Sequence, residues 1–238
     1  MWCVVVVDVV RFLLSGVCHQ IPEHALVMGG QALPLCARCT GTFLGVLAGL
    51  LALWAAGQGR RSGMPGGHVR LVLALPVIAW ALDGANAFVG DLLGRPWMYA
   101  PNNVLRLITG TGFGLVLSTL LYPTVHYAAG TAAAARAADD EPVLARPRYV
   151  AALPLAGSAL IAILLLEPPA PYAVWAVALG AATVGVLALV NAVFIVLALN
   201  REGTAGTWGG AVAYAVAGLG AALAEMGALA LVRRLILG

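Results

Sequence analysis

Six long apolar stretches, at roughly 40–57, 70–90, 103–122, 149–166, 172–199 and 208–232, alternate with short polar breaks along this chain. The breaks are rich in charge, proline and glycine: Gly57-Gln58-Gly59-Arg60-Arg61, the run from Asp91 to Pro101, Asp139-Asp140-Glu141-Pro142, Glu167-Pro168-Pro169 and Asn200-Arg201-Glu202-Gly203. About 20 apolar residues in a helix cross a hydrocarbon layer of ~30 Å, so each stretch predicts a transmembrane helix. Residues 2–17 form a seventh, shorter apolar run. Asp8 and Arg11 stand three apart within it, which suits a helix lying in the interface or tucked against the others. The expected fold is an all-α polytopic membrane helix bundle, with six long transmembrane helices and a short N-terminal helix.

Composition agrees. The chain has 238 residues, 62% hydrophobic and 10% charged, against about 25% charged in soluble domains. All 13 basic residues are arginine. They are spread over separate loops rather than gathered on one face, so no nucleic-acid partner is expected, and membrane lipid is the expected surrounding. The N-terminal run is not read as a secretory signal, because it carries Asp8 and Arg11 and no small-residue cleavage site follows.

With alternating helices, Arg60, Arg61, Arg70, Arg136, Arg146, Arg148 and Arg201 fall on one side and Arg38, Arg95, Arg233 and Arg234 on the other. The richer side is expected to be cytoplasmic, although Arg233-Arg234 pulls the other way. The chain then divides into a motif-bearing half over residues 1–122, a cytoplasmic linker over 123–148 and a C-terminal three-helix half over 149–238. Gly41, Gly45 and Gly49, and again Gly110 and Gly114, recur every four residues. Such stripes let helix backbones approach closely in a bilayer.

The chemistry gathers in residues 18–39. Cys18-His19-Gln20-Ile21-Pro22-Glu23 is followed, after a short irregular stretch, by Leu33-Pro34-Leu35-Cys36-Ala37-Arg38-Cys39-Thr40-Gly41. Cys36 and Cys39 form a Cys-x-x-Cys knuckle, whose spacing lets both sulfurs reach one ion. Cys18 and His19 are the expected other half of a zinc-like site, with His24 the substitute if His19 faces away. A second reading uses Cys36 and Cys39 for thiol–disulfide exchange, since a helix N-terminus and Arg38 both favour thiolate. A third is a transporter or lipid-handling protein in which the cysteines staple a lid. Cys3 stands apart at the chain end.

Polar residues inside the spans predict a pocket beneath the cysteines, made from Arg38, Asp83, Asn86, Asn102, Asn103, Arg106 and Thr109. Ionised groups in a span are costly unless paired, and Asp83 and Arg106 are the expected pair. Arg38, Asp83 and Arg106 are the candidates for any catalytic role, and either arginine suits a small anionic ligand. Glu225 and Asn191 are further intramembrane polar residues. His68 and His126 are expected to be solvated on the cytoplasmic side.

The Cys18-to-Glu23 and Leu33-to-Gly41 strings, with Gly45, Asp83-Gly84 and Asn102-Asn103-x-x-Arg106-x-x-Thr109-Gly110, resemble the family called domain of unknown function 2085. The resemblance covers roughly residues 5–115. It departs at His24-Ala25, where the family pattern usually reads Arg-Ser, so an anion held there in relatives would need His24 or another arginine here. It implies a multi-pass prokaryotic membrane protein and brings no activity with it.

Overall fold

The computed structural model describes residues 2–59, 61–130, 142–203 and 207–237. Helix α1 spans Trp2–Leu14, and a 3-10 turn at Pro22–His24 leads into a hairpin of β1, Ala25–Met28, and β2, Gln31–Cys36. Six long helices follow: α2, Ala37–Ala55; α3, Gly67–Leu93; α4, Asn103–Ala129; α5, Pro147–Leu165; α6, Tyr172–Ala198; and α7, Trp208–Leu237. All six are long and apolar enough to cross a membrane. Their outward faces are those of lipid-immersed helices: Leu71, Val72, Leu75 and Ile78 of α3 are all exposed, an apolar surface that water would not tolerate.

Two features depart from the sequence reading. Helix α4 does not end near residue 122 but runs through Pro123 to Ala129, as buried transmembrane helices tolerate an internal proline. The rest of the expected linker falls partly on residues 131–141, which lie outside the described residues. The stretch read as irregular is the antiparallel hairpin, pairing Met28 with Gln31, Val27 with Ala32 and Ala25 with Cys36. Gly29 and Gly30 both have positive φ, 55° and 77°, the backbone that two-residue hairpin loops require. Pro34 and a register shift between Ala25 and Val27 break the alternation by which a strand is recognised in sequence.

Helices α2 and α4 form the central contact. A Cβ on Gly110 would lie 2.1 Å from the Arg38 carbonyl oxygen, and one on Gly41 would lie 2.6 Å from that of Leu107. Only hydrogen fits at these points, and the glycine stripes serve the close packing expected of them. Helix α3 packs on α4, α5 on α2, and α1 against α6 and α7. At the cysteine-bearing end one buried cluster joins Leu14 of α1, Met28, Leu33 and Leu35 of the hairpin, Leu107 of α4, Leu179 of α6 and Met226 of α7. The hairpin is thus a plug set into the end of the bundle.

Candidate metal centre

Cys18 lies just past α1, its N–H donating to the Leu14 carbonyl at 3.0 Å. The chain then turns sharply at Gln20, a non-glycine residue with φ of 56°. That costly backbone is held by its own side chain, whose Nε2 donates to the carbonyls of Arg11 at 2.8 Å and Pro34 at 3.0 Å. The turn presents the Cys18 sulfur to the end of β2, where the Cys36 N–H donates to it at 3.3 Å. Cys36 in turn caps α2, its sulfur accepting from the Cys39 N–H at 3.4 Å.

The sulfurs of Cys18, Cys36 and Cys39 lie within 4.8 Å of one another, and all three are free thiols. Tetrahedral zinc with Zn–S bonds of about 2.3 Å places its sulfurs about 3.8 Å apart. The group needs to tighten only slightly to match. Hydrogen bonds from Cys36 and Cys39 push the Cys18 thiol far below its ordinary value, against the effect of burial. Cys18 is the sulfur prepared to be a thiolate.

His19, expected as the fourth ligand, does not join the group. It is exposed, and its carbonyl is held by Arg233 Nη2 at 2.5 Å. Adjacent residues project in different directions, so once Cys18 faces inward His19 faces away. Both His19 and His24 instead border a cleft of about 270 Å³ that opens over the thiols, together with Arg38, Asp91 and Arg106. Burial and the nearby Arg106 hold the His24 imidazole below its ordinary pKa, so it is neutral near pH 7.

The expected pocket residues divide by task. Asp83, 1% exposed, is paired with Arg38 rather than with Arg106. Arg38 Nε donates to Asp83 Oδ2 at 2.9 Å and Nη2 to both Oδ2 and the Asp83 carbonyl. Tyr99 Oη adds a hydrogen bond to Oδ1 at 2.7 Å and Thr109 Oγ1 one to Oδ2 at 3.3 Å. The first turn of α2 sits against α4 at Gly110, and from there the Arg38 side chain reaches Asp83 of α3. Burial, then the Asp83 contact, pushes Tyr99 up to about 12, so it remains a donor.

Asn86 binds the backbone of the 94–102 loop, accepting from the Met98 N–H at 2.8 Å and donating to the Tyr99 carbonyl at 3.0 Å. Asn102 caps α4 through the Leu105 N–H at 2.8 Å. Asn103 Nδ2 donates to the carbonyls of Glu23 and Ala25, both at 3.0 Å, and fastens the hairpin to α4. Of the expected pocket, only Arg38 and Arg106 border the cleft.

Three further residues escaped the sequence reading. Gln20 forms the turn, Tyr99 completes the shell of Asp83, and Arg233 of α7 binds the carbonyls of Ser15, Cys18 and His19. The Cys18-His19-Gln20 contiguity was the one available hint for Gln20. In the C-terminal half, Asn191 Nδ2 donates to a Glu225 carboxylate oxygen at 3.3 Å on an exposed face. His126 stacks edge-on against Tyr122, with ring centroids 4.5 Å apart, and is not simply solvated.

The family model described as a predicted membrane protein, domain of unknown function 2085, matches residues 18–120. A protein of Methanothermobacter thermautotrophicus is 32% identical over 110 residues, which are 46% of this chain and 88% of that one. The chain belongs to this family. An uncharacterised protein of Methanocaldococcus jannaschii is 29% identical over 108 residues, 44% of this chain and 63% of the relative. No solved structure matches. The match to the family of unknown function 2085 holds the three cysteines, Asp83 and Arg106, and ends inside α4. Arg233, which grips the Cys18 loop, lies beyond it.

Proposed function

We propose that Cys18, Cys36 and Cys39 hold one thiolate-preferring divalent metal, zinc by its chemistry, at the end of the membrane bundle. The observation carrying this reading is the meeting of three sulfurs from two separated segments within 4.8 Å. A redox pair needs only two thiols, whereas three converging sulfurs match the donor set that zinc favours. All three cysteines border the hairpin end of the bundle, and Cys18, Cys36 and Cys39 line the cleft with His24 and Arg106, so on this reading the fourth coordination position faces it. An open position is the mark of a metal that can bind and polarise a ligand, as opposed to a closed structural site.

On this reading the motif-bearing half, 1–122, carries the centre and the C-terminal half, 149–238, braces it. We take the metal end to be the outer one, on the sequence expectation that the side carrying Arg60, Arg61, Arg70, Arg136, Arg146, Arg148 and Arg201 is cytoplasmic.

Metal analysis of the reduced, detergent-purified protein, with thiol titration alongside, tests the proposal. One equivalent of metal, lost in Cys36→Ser, is the expected result. Cobalt in its place is expected to give sulfur-to-metal charge-transfer absorption. A metal-free protein with a reversible Cys36–Cys39 disulfide would overturn it in favour of a thiol–disulfide oxidoreductase.

A further inference from the structure

Among the described residues, Arg106 forms no salt bridge. It is 4% exposed, and among the described residues its one hydrogen bond runs from Nη1 to Asn103 Oδ1 at 3.1 Å. The expected carboxylate, Asp83, is paired with Arg38. Asp91 also borders the cleft, but at its exposed mouth and without a salt bridge to Arg106. Its hydrogen bond is to a neutral acceptor and its other N–H groups face the cleft, and a largely buried cation is costly unless an opposite charge lies near it.

The charge that answers it lies across the same cleft. A divalent ion on three thiolates carries a net charge of −1, since +2 is met by three charges of −1. Arg38 and Asp83 cancel one another, leaving Arg106 and the metal–thiolate group as the remaining opposite charges at the inner wall. We infer that Arg106 is the counter-charge of the three-thiolate centre, a positioning residue that makes the loaded site electrically neutral and leaves the metal-free site with a stranded cation. The inference rests on the metal reading proposed above. It gives Arg106 two opposite effects: it strengthens metal binding, and it weakens the protein when metal is absent. A merely structural arginine would stabilise both forms.

The test measures zinc affinity by competition with a chromophoric chelator, and the melting midpoint with and without zinc. It compares the full-length wild type with Arg106→Met, Arg106→Lys and Asn103→Ala. Outer partners of a metal site are worth roughly 10–100-fold in affinity. Arg106→Met is expected to lose that much affinity while melting at a higher temperature than wild type in the metal-free state. Arg106→Lys, which keeps the charge, is expected to recover most of the affinity. Asn103→Ala reports what loss of the hydrogen bond and hairpin anchor does alone, and is expected to lower both melting midpoints. If wild type binds zinc and Arg106→Met binds it equally well, or is destabilised in both states, the counter-charge assignment is overturned and the metal site stands. If wild type binds no zinc, the metal reading itself has failed.

Discussion

Arg233 Nη1 lies 2.6 Å from the carbonyl oxygen of Cys18, so the last helix holds the first cysteine of the centre. The same guanidinium reaches the Ser15 carbonyl at 3.1 Å and that of His19 at 2.5 Å. It neutralises the open carbonyls where α1 ends, as a cation at a helix C-terminus does. Hydrogen bonds to a charged donor contribute about 1.5–3 kcal/mol each. Arg233→Ala is expected to loosen the Cys18 turn, raising the rate at which an alkylating reagent modifies Cys18 and lowering zinc affinity. Mass-spectrometric thiol labelling measures the first effect. Unchanged Cys18 labelling would show that the turn is held without Arg233.

The Arg38–Asp83 pair makes a prediction of its own. Removing one member of a buried pair costs about 3–5 kcal/mol, whereas replacing both with apolar groups is often close to neutral. Asp83→Ala is therefore expected to lower the melting midpoint sharply. The double variant Arg38→Met, Asp83→Leu is expected to lie closer to wild type. A double variant worse than the sum of the singles would mean that the pair does more than balance charge.

His24 sets a pH dependence. Its folded pKa is depressed, so below its ordinary value near 6.5 the unfolded chain binds a proton that the folded protein refuses. Stability of the metal-free protein then rises with pH through the interval between the depressed folded value and about 6.5, and is level above it. Melting midpoints across that interval should show the slope, and His24→Gln should flatten it. A slope that persists in His24→Gln would assign it to another group.

The α2–α4 contact predicts a contrast between glycines. A Cβ at Gly110 would meet the Arg38 carbonyl at 2.1 Å, while one at Gly220 on α7 meets nothing within 4 Å. Overpacking of this kind costs about 1–3 kcal/mol. Gly110→Ala should lower the melting midpoint and weaken zinc binding, because it displaces the turn that carries Arg38 and Cys39. Gly220→Ala should leave both unchanged.

The spans were legible because a bilayer demands runs of apolar residues and charged breaks between them, so the six long helices are written in composition. The thiol convergence was legible from the Cys-x-x-Cys spacing and its neighbouring Cys18. What stayed hidden are contacts set by backbone path. The glycine stripes announced that α2 and α4 pack closely, but not that Arg38 rather than Arg106 would then reach Asp83. That His19 stands apart from the three sulfurs was hidden, because contiguity in sequence says nothing about the turn at Gln20. Arg233 was counted as a loop charge, since only the folded bundle returns α7 to the end of α1.

The tip of the hairpin rests directly on α6: a Cβ at Gly29 would come within 2.9 Å of the Tyr172 backbone nitrogen. The opposite end of the same hairpin is Cys36. The hairpin therefore links the start of α6 to the strand end that carries Cys36. The C-terminal helices thus help to seat the element on which the second and third sulfurs depend.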